Sequence, residues 1–300
     1  NSFIAKLDRA LSFPESRLAA GLVVAGKKSL PKSIQDDFQK SGTLQVVVLS
    51  GYNVTIVAEM LMGLLKTIPR VSYTMSAYFG ITGIVFFVVM AGGSATIVRG
   101  AIMAIMVIVA KSSRRRYGVT RALIITAACM LLYNPLYLFY DPSFQLSFLA
   151  TAGLIYVSPL LEKRLLWITE RLSLRSVVAT TLGAQLAVTP LLLYSTGELS
   201  LVALPANIFI SFLVPLTMLM CFITGLLGYI HMFLAFPISL FAFCLLTLIL
   251  QMVHIFSAFP FASVALPYFP MWCVILIYIG SSVLLIRFYN RDIGKTKSIL

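Results

Sequence analysis

The order of apolar and polar residues along this chain repeats at the scale of a lipid bilayer. From residue 44 onward, apolar runs nearly free of charge alternate with short polar breaks. About 20 apolar residues make one helix across a hydrocarbon core of about 30 Å. Nine runs are legible, at 44–65, 73–91, 95–110, 120–140, 143–161, 176–196, 202–225, 231–256 and 267–287. They predict an all-α, polytopic membrane helix bundle of about nine spans. Gly51, Pro135, Pro190, Pro205 and Pro215 fall inside the runs, so several of these helices are expected to be broken. Residues 1–42 carry a shorter pattern. "FIAKLDRAL" sets Phe3, Ile4, Leu7 and Leu11 on one helical face. "SLPKSIQDDFQKSG" opens at Pro31, spaces Ile34 and Phe38 four apart and stops at Gly42. Helices this short do not cross a bilayer, so amphipathic interfacial helices are expected, on the outer membrane surface or capping the bundle's mouth. The expected division is an external amphipathic helical segment over 1–42 and a transmembrane domain over 43–300.

Composition agrees, with 60% hydrophobic and 11% charged residues, where a soluble domain carries about 25% charged. The net charge of +13 suggests a nucleic-acid surface until the charges are placed. From residue 41 onward there are sixteen Lys and Arg, and fifteen lie in four breaks: "KTIPR" (66–70), "KSSRRRYGVTR" (111–121), "EKRLLWITERLSLR" (162–175) and "RFYNRDIGKTKS" (287–298). With nine spans these breaks share one side, which the positive-inside rule makes the cytoplasm. The N-terminus is then outside and the C-terminus inside. Most of the charge is an orientation signal.

Several chemistries are excluded or weak. The four cysteines (Cys129, Cys221, Cys244, Cys273) lie in apolar runs without paired spacing, so neither a disulfide framework nor a metal site is expected. His231 and His254 have no ligand-type neighbour in sequence and read as packing or interfacial residues. "GLVVAGKKS" (21–29) falls short of a phosphate-binding loop, because Lys28 stands where Ser or Thr would hold magnesium. Asn53-Val54-Thr55 matches a glycosylation pattern but lies within a span. No catalytic residues and no cofactor are expected, and the chain reads as a non-enzyme.

The informative residues are polar ones at one depth. Ser50, Gly51 and Asn53, with Tyr52 beside them, lie below the outer end of the first span. Arg99 is about 7–8 Å below the outer end of the third, at 1.5 Å per residue. Asn134 and Asp141 close the fourth, Gln145 and Ser147 open the fifth with Phe144 and Phe148, and Asn207 is in the outer part of the seventh. Polar groups in hydrocarbon must be satisfied by one another, by freed backbone or by water. Two readings stay open: hydrogen-bond glue between helices, or a polar vestibule open to the outside. Arg99 either snorkels to the head groups or lines that cavity.

The same residues carry a family likeness. "GLVVAGKKSLPKSIQDDFQKSGTLQVVVLSGYNVTIVA", "SATIVRGAIM", "NPLYLFYDPSFQLSFLATAGL" and "TPLLLYSTGELSLVALPANIFISFLVPL" resemble, in order and spacing, the blocks of the ComEC-type competence domain. The third is close to that family's most specific motif. The resemblance covers nearly the whole chain. It implies a channel that passes single-stranded DNA across the bacterial cytoplasmic membrane in natural transformation. It also implies single-stranded DNA as a partner, and outer nucleic-acid-binding and nuclease domains that are separate or missing. With no ATP-binding motif in the sequence, such a channel needs a cytoplasmic ATP-driven motor that pulls, and its apolar runs need membrane lipid. A homo-oligomer is one assembly the sequence permits. Where the family usually has two histidines flanking Ser-Gly, this chain has Gln45 and Asn53. Two other readings fit the polar vestibule: a transporter or flippase for another anionic substrate, and a structural relative without transport activity.

Overall fold

A computed structural model describes residues 2–25, 30–44, 73–90, 93, 95–113, 118–170, 173–265 and 270–297. The described chain is an all-α membrane helix bundle with one two-stranded sheet, as the apolar pattern predicts. It begins with α1 (Ser2–Ala10), α2 (Glu15–Ala20), which continues as a π-helical turn over Gly21–Ala25, and α3 (Lys32–Lys40). Next come α4 (Tyr73–Met90), α5 (Ala95–Ser112), α6 (Val119–Tyr133), the single turn α7 (Tyr137–Tyr140) and α8 (Pro142–Ala152). A π-helical turn over Gly153–Val157 joins α8 to α9 (Ser158–Arg164). The remainder is α10 (Leu174–Thr196), β1 (Glu198–Ser200), α11 (Ala203–Ile230), α12 (Met232–Ser257), β2 (Ser263–Ala265) and α13 (Met271–Lys297).

Six stretches among the described residues are long and apolar enough to cross a membrane: 95–112, 142–164, 174–196, 203–230, 232–257 and 271–288. The expected spans at 73–91 and 120–140 are shorter apolar helices, with apolar cores Met75–Val89 and Val119–Tyr133. The fourth is shortened because the chain leaves the helix at Asn134, ahead of Pro135. The expected span at 44–65 falls, but for its first residue, outside the described residues. Pro190, Pro215 and Pro237 sit inside continuous helices, so the break expected at Pro190 and Pro215 is not made there. Neighbouring helices and side-chain hydroxyls tolerate such prolines in a bilayer.

The chain divides into two compact units, residues 1–148 with 200–262, and residues 149–199 with 263–300. In the first unit, α11 and α12 pack along each other as a hairpin. It turns at His231, whose Nδ1 accepts from Phe233 N at 3.2 Å and caps α12. The N-terminal helices lie on this hairpin. Phe3, Leu7, Leu11, Leu18, Leu22 and Phe38 are buried with Ile210, Val214, Met218, Leu246 and Ile249 in one core. The predicted apolar face of α1 is therefore the buried face. A Cβ on Gly225 would come within 2.2 Å of the Phe3 ring, and one on Gly42 within 2.5 Å of Ala203 Cβ. Phe3 and Gly42 thus abut α11 at levels 22 residues apart (225 − 203), which is about 33 Å. That is close to the thickness of the hydrocarbon core. A second core joins α4 and α5 through Ile84, Phe87, Ile97, Ala101 and Ile108.

In the second unit the π-helical turn packs against α10 at a crossing of small residues. A Cβ on Gly153 would lie 2.3 Å from Gly183 O, and one on Gly183 2.5 Å from Ser158 Oγ. Ser158 Oγ donates to Ala179 O at 3.1 Å across this crossing. α13 joins α10 through Tyr278, whose hydroxyl donates to Ala187 O at 2.8 Å. Small residues let backbones approach where lipid offers no hydrophobic drive for helix association.

Candidate functional site at the broken-helix corner

The polar residues of "NPLYLFYDPSFQLSFLATAG" build a corner. Asn134 is extended (φ −148°, ψ 103°), as expected of a residue before proline. Its Oδ1 accepts from Leu136 N at 3.0 Å and closes the turn. After the single turn of α7, Asp141 is again extended (φ −108°, ψ 99°). Asp141 Oδ1 accepts from Ser143 N at 2.8 Å and from Phe144 N at 3.3 Å, so the carboxylate caps α8. Pro142 suits the first helical position, where no N–H is needed. Gln145 Nε2 reaches back to Leu138 O at 2.8 Å. The carboxylate, the amide and the Asn side chain thus bond backbone groups that the break sets free. That work is required where water is scarce.

The aromatic residues give the corner its packing. Phe144 is buried against Ala95 of α5 and Met130 of α6. Its ring centroid is 4.4 Å from Phe148 and 6.2 Å from Tyr137. Phe148 and Tyr137 are half-buried and present more surface than Phe144. Arg99 follows Ala95 by four residues and so shares its face of α5. Its Nη1 is 3.7 Å from Met103 Sδ. Ser147 is buried one turn beyond Phe144.

The structure thus brings Arg99's helix together with Phe144 and Phe148, while Asn134, Asp141 and Gln145 bond backbone groups along the break itself. Asn207 belongs to another place: it is buried on α11, and its Nδ2 donates to Gly42 O at 3.4 Å. Ser50, Gly51, Tyr52 and Asn53 lie outside the described residues. A cavity of about 880 Å³ occupies the second unit, and none of these predicted residues lines it.

Sequence reasoning missed Tyr137 and Met130, which complete the aromatic corner. It also missed two polar contacts on the hairpin. Glu15 is buried, with Oε1 accepting from Thr247 Oγ1 at 3.1 Å and Oε2 from Ser12 Oγ at 3.2 Å. Asp37 Oδ1 accepts from Ser257 Oγ at 3.0 Å, and its Oδ2 lies 3.3 Å from His254 Nδ1. His254 has a carboxylate partner that is 217 residues away in sequence. Ser12 and Glu15, three apart, are a local signal that a capping pattern search could have found.

The family model "Competence protein" matches residues 22–291. The chain belongs to the competence protein family. With its apolar helices, this competence protein is a multi-pass membrane protein. It is similar to ComE operon protein 3 of Bacillus subtilis, 24% identical over 192 residues. That match covers 63% of this chain and 24% of the relative's length. No solved structure matches the chain. All four blocks read from the sequence fall wholly or almost wholly within the matched residues, and the corner lies at their middle.

Proposed function

We propose that this competence protein serves DNA uptake as the channel-forming membrane part, passing single-stranded DNA across the bacterial cytoplasmic membrane. The observation that carries the reading is the family match across residues 22–291. The corner supports it chemically. A strand entering a bilayer needs donors for phosphate and flat surfaces for bases. Arg99 is a cation in an apolar helix, on the face that packs against the aromatic corner, with Phe148 and Tyr137 half-buried there. The chain acts without catalysis in this reading. Each phosphate entering an inside-negative cell works against about 2.3 kcal/mol per 100 mV. A cytoplasmic ATP-driven motor therefore pulls, and outer nucleic-acid-binding and nuclease domains feed the mouth. The basic breaks face the cytoplasm, with the C-terminus inside; Phe3, at the Gly225 end of α11, lies about one bilayer thickness from the outer loop that precedes α11.

The test is uptake of labelled single-stranded DNA in cells whose own competence channel is deleted and replaced by this chain. Arg99→Ala is expected to lower uptake at least tenfold, about 1.4 kcal/mol for one charge-assisted phosphate contact, and Arg99→Lys to restore part of it. Equal uptake by inserted wild-type and Arg99→Ala protein would remove Arg99 from the path. No uptake by inserted wild-type protein, even with an outer nucleic-acid-binding domain supplied, would move the substrate to another anion.

A further inference from the structure

The cavity of about 880 Å³ lies between the helix that runs from α8 through the π-helical turn into α9, and α10 and α13. Its lining includes small residues, Ala152 and Gly153 on one side and Ser281 and Ser282 on the other. Gly153 is drawn against the backbone of Gly183. The walls are apolar, with Tyr156, Leu160 and Leu285. The lining runs from Leu149 to Arg164, about 22 Å along a helix. That exceeds the about 15 Å of hydrocarbon in one leaflet.

One end of the groove is charged. Lys163 and Arg164 line it, and the Arg164 guanidinium lies 4.7 Å from the Phe288 ring centroid. A guanidinium held over a ring by a cation–π contact still offers N–H donors that suit phosphate oxygens. Trp167 follows at 80% exposure, and exposed tryptophan marks the head-group level of a bilayer. The charged end is therefore at the interface, on the side of the basic breaks, and the apolar groove runs inward from it.

We infer that this groove holds an anionic phospholipid of the cytoplasmic leaflet, with its phosphate at Lys163 and Arg164 and one acyl chain along the small residues Gly153, Ser281 and Ser282. Charge complementarity selects the head group, since basic pockets between helices on the cytoplasmic side take anionic lipids. The apolar walls select a chain over a nucleic acid, whose backbone needs polar partners along its whole length. The site is independent of what the channel carries.

The full chain, purified in detergent, is offered phosphatidylglycerol and phosphatidylcholine with matched chains, and retained lipid is counted by native mass spectrometry. Wild type is expected to retain phosphatidylglycerol in preference. Lys163→Gln and Arg164→Gln are each expected to lower the ratio about fivefold, the worth of one basic residue near an anionic surface. Ser282→Phe, which fills this space, is expected to reduce retention of both lipids, and its thermal transition in detergent reports whether it folds. Lys163 is exposed, so its variant keeps the test valid if the other two fail to fold. Equal retention of the two lipids by wild type, or an unchanged ratio in Lys163→Gln, overturns the proposal. Displacement of phosphatidylglycerol by a short single-stranded oligonucleotide also overturns it, and assigns the groove to nucleic acid.

Discussion

Asp141 accepts two backbone N–H groups where α7 gives way to α8, and Gln145 reaches across the same break to Leu138 O. These bonds give each residue a structural task that can be separated from any role toward a substrate. Asp141→Ala removes the cap and is expected to cost about 1 kcal/mol of stability. Asp141→Asn keeps an oxygen at the same place and should cost a few tenths. Thermal unfolding in detergent reads the difference. An Asp141→Asn protein as stable as wild type, yet deficient in uptake, would show that the negative charge itself matters to transport. At this scale the residue types were legible in the sequence, because uncharged runs make a polar side chain conspicuous. The identity of each partner was less so. Leu138 O is available to Gln145 only because Pro135 and Asp141 fold the intervening chain into a single turn.

The elements themselves follow from apolar length, and six of the eight expected runs that fall on described residues end within about five residues of the helices observed. Where helices touch is decided by small residues. Gly153 and Gly183 are in mutual contact, with Ser158 Oγ bonded to Ala179 O beside them. Gly183→Leu would set a side chain into backbone 3.0 Å away, where no rotamer gives relief. The expected cost is about 1–3 kcal/mol, seen as a lower thermal transition and faster proteolysis, and Gly228→Ala, whose Cβ would sit 3.4 Å from Lys6 Cβ, should cost much less. Equal loss from the two variants would mean that the crossing does not hold the second unit together. Sequence alone does not reveal this contact, because the clash arises only from a helix brought alongside.

On the scale of the whole chain, the charge pattern makes a topological claim. Fifteen of the sixteen Lys and Arg after residue 40 fall in four breaks, and short loops of this kind set orientation in the membrane. A cysteine placed at Ser113 in a cysteine-free background should react with an impermeant maleimide only after the cells are opened. A cysteine at Ser195 should react in intact cells. Both positions are exposed in the structure. The reverse pattern would invert the molecule and put the Lys163–Arg164 groove in the outer leaflet.

The sequence by itself determined that the chain is a helical membrane bundle, where most of its apolar helices fall, which family it resembles and which polar residues stand out. Each of these depends on local composition and period, which hydrocarbon thickness and charge asymmetry convert directly into structure. Only the tertiary structure decided that α1 to α3 lie along the α11–α12 hairpin, that Asp37 meets His254 and Ser257, that Glu15 meets Thr247, and that a groove opens beside Gly153. These are pairings across up to 232 residues. An amphipathic face states that it needs a partner without stating which one, and in lipid the choice falls to shape and hydrogen bonding, which exist only once the helices are packed.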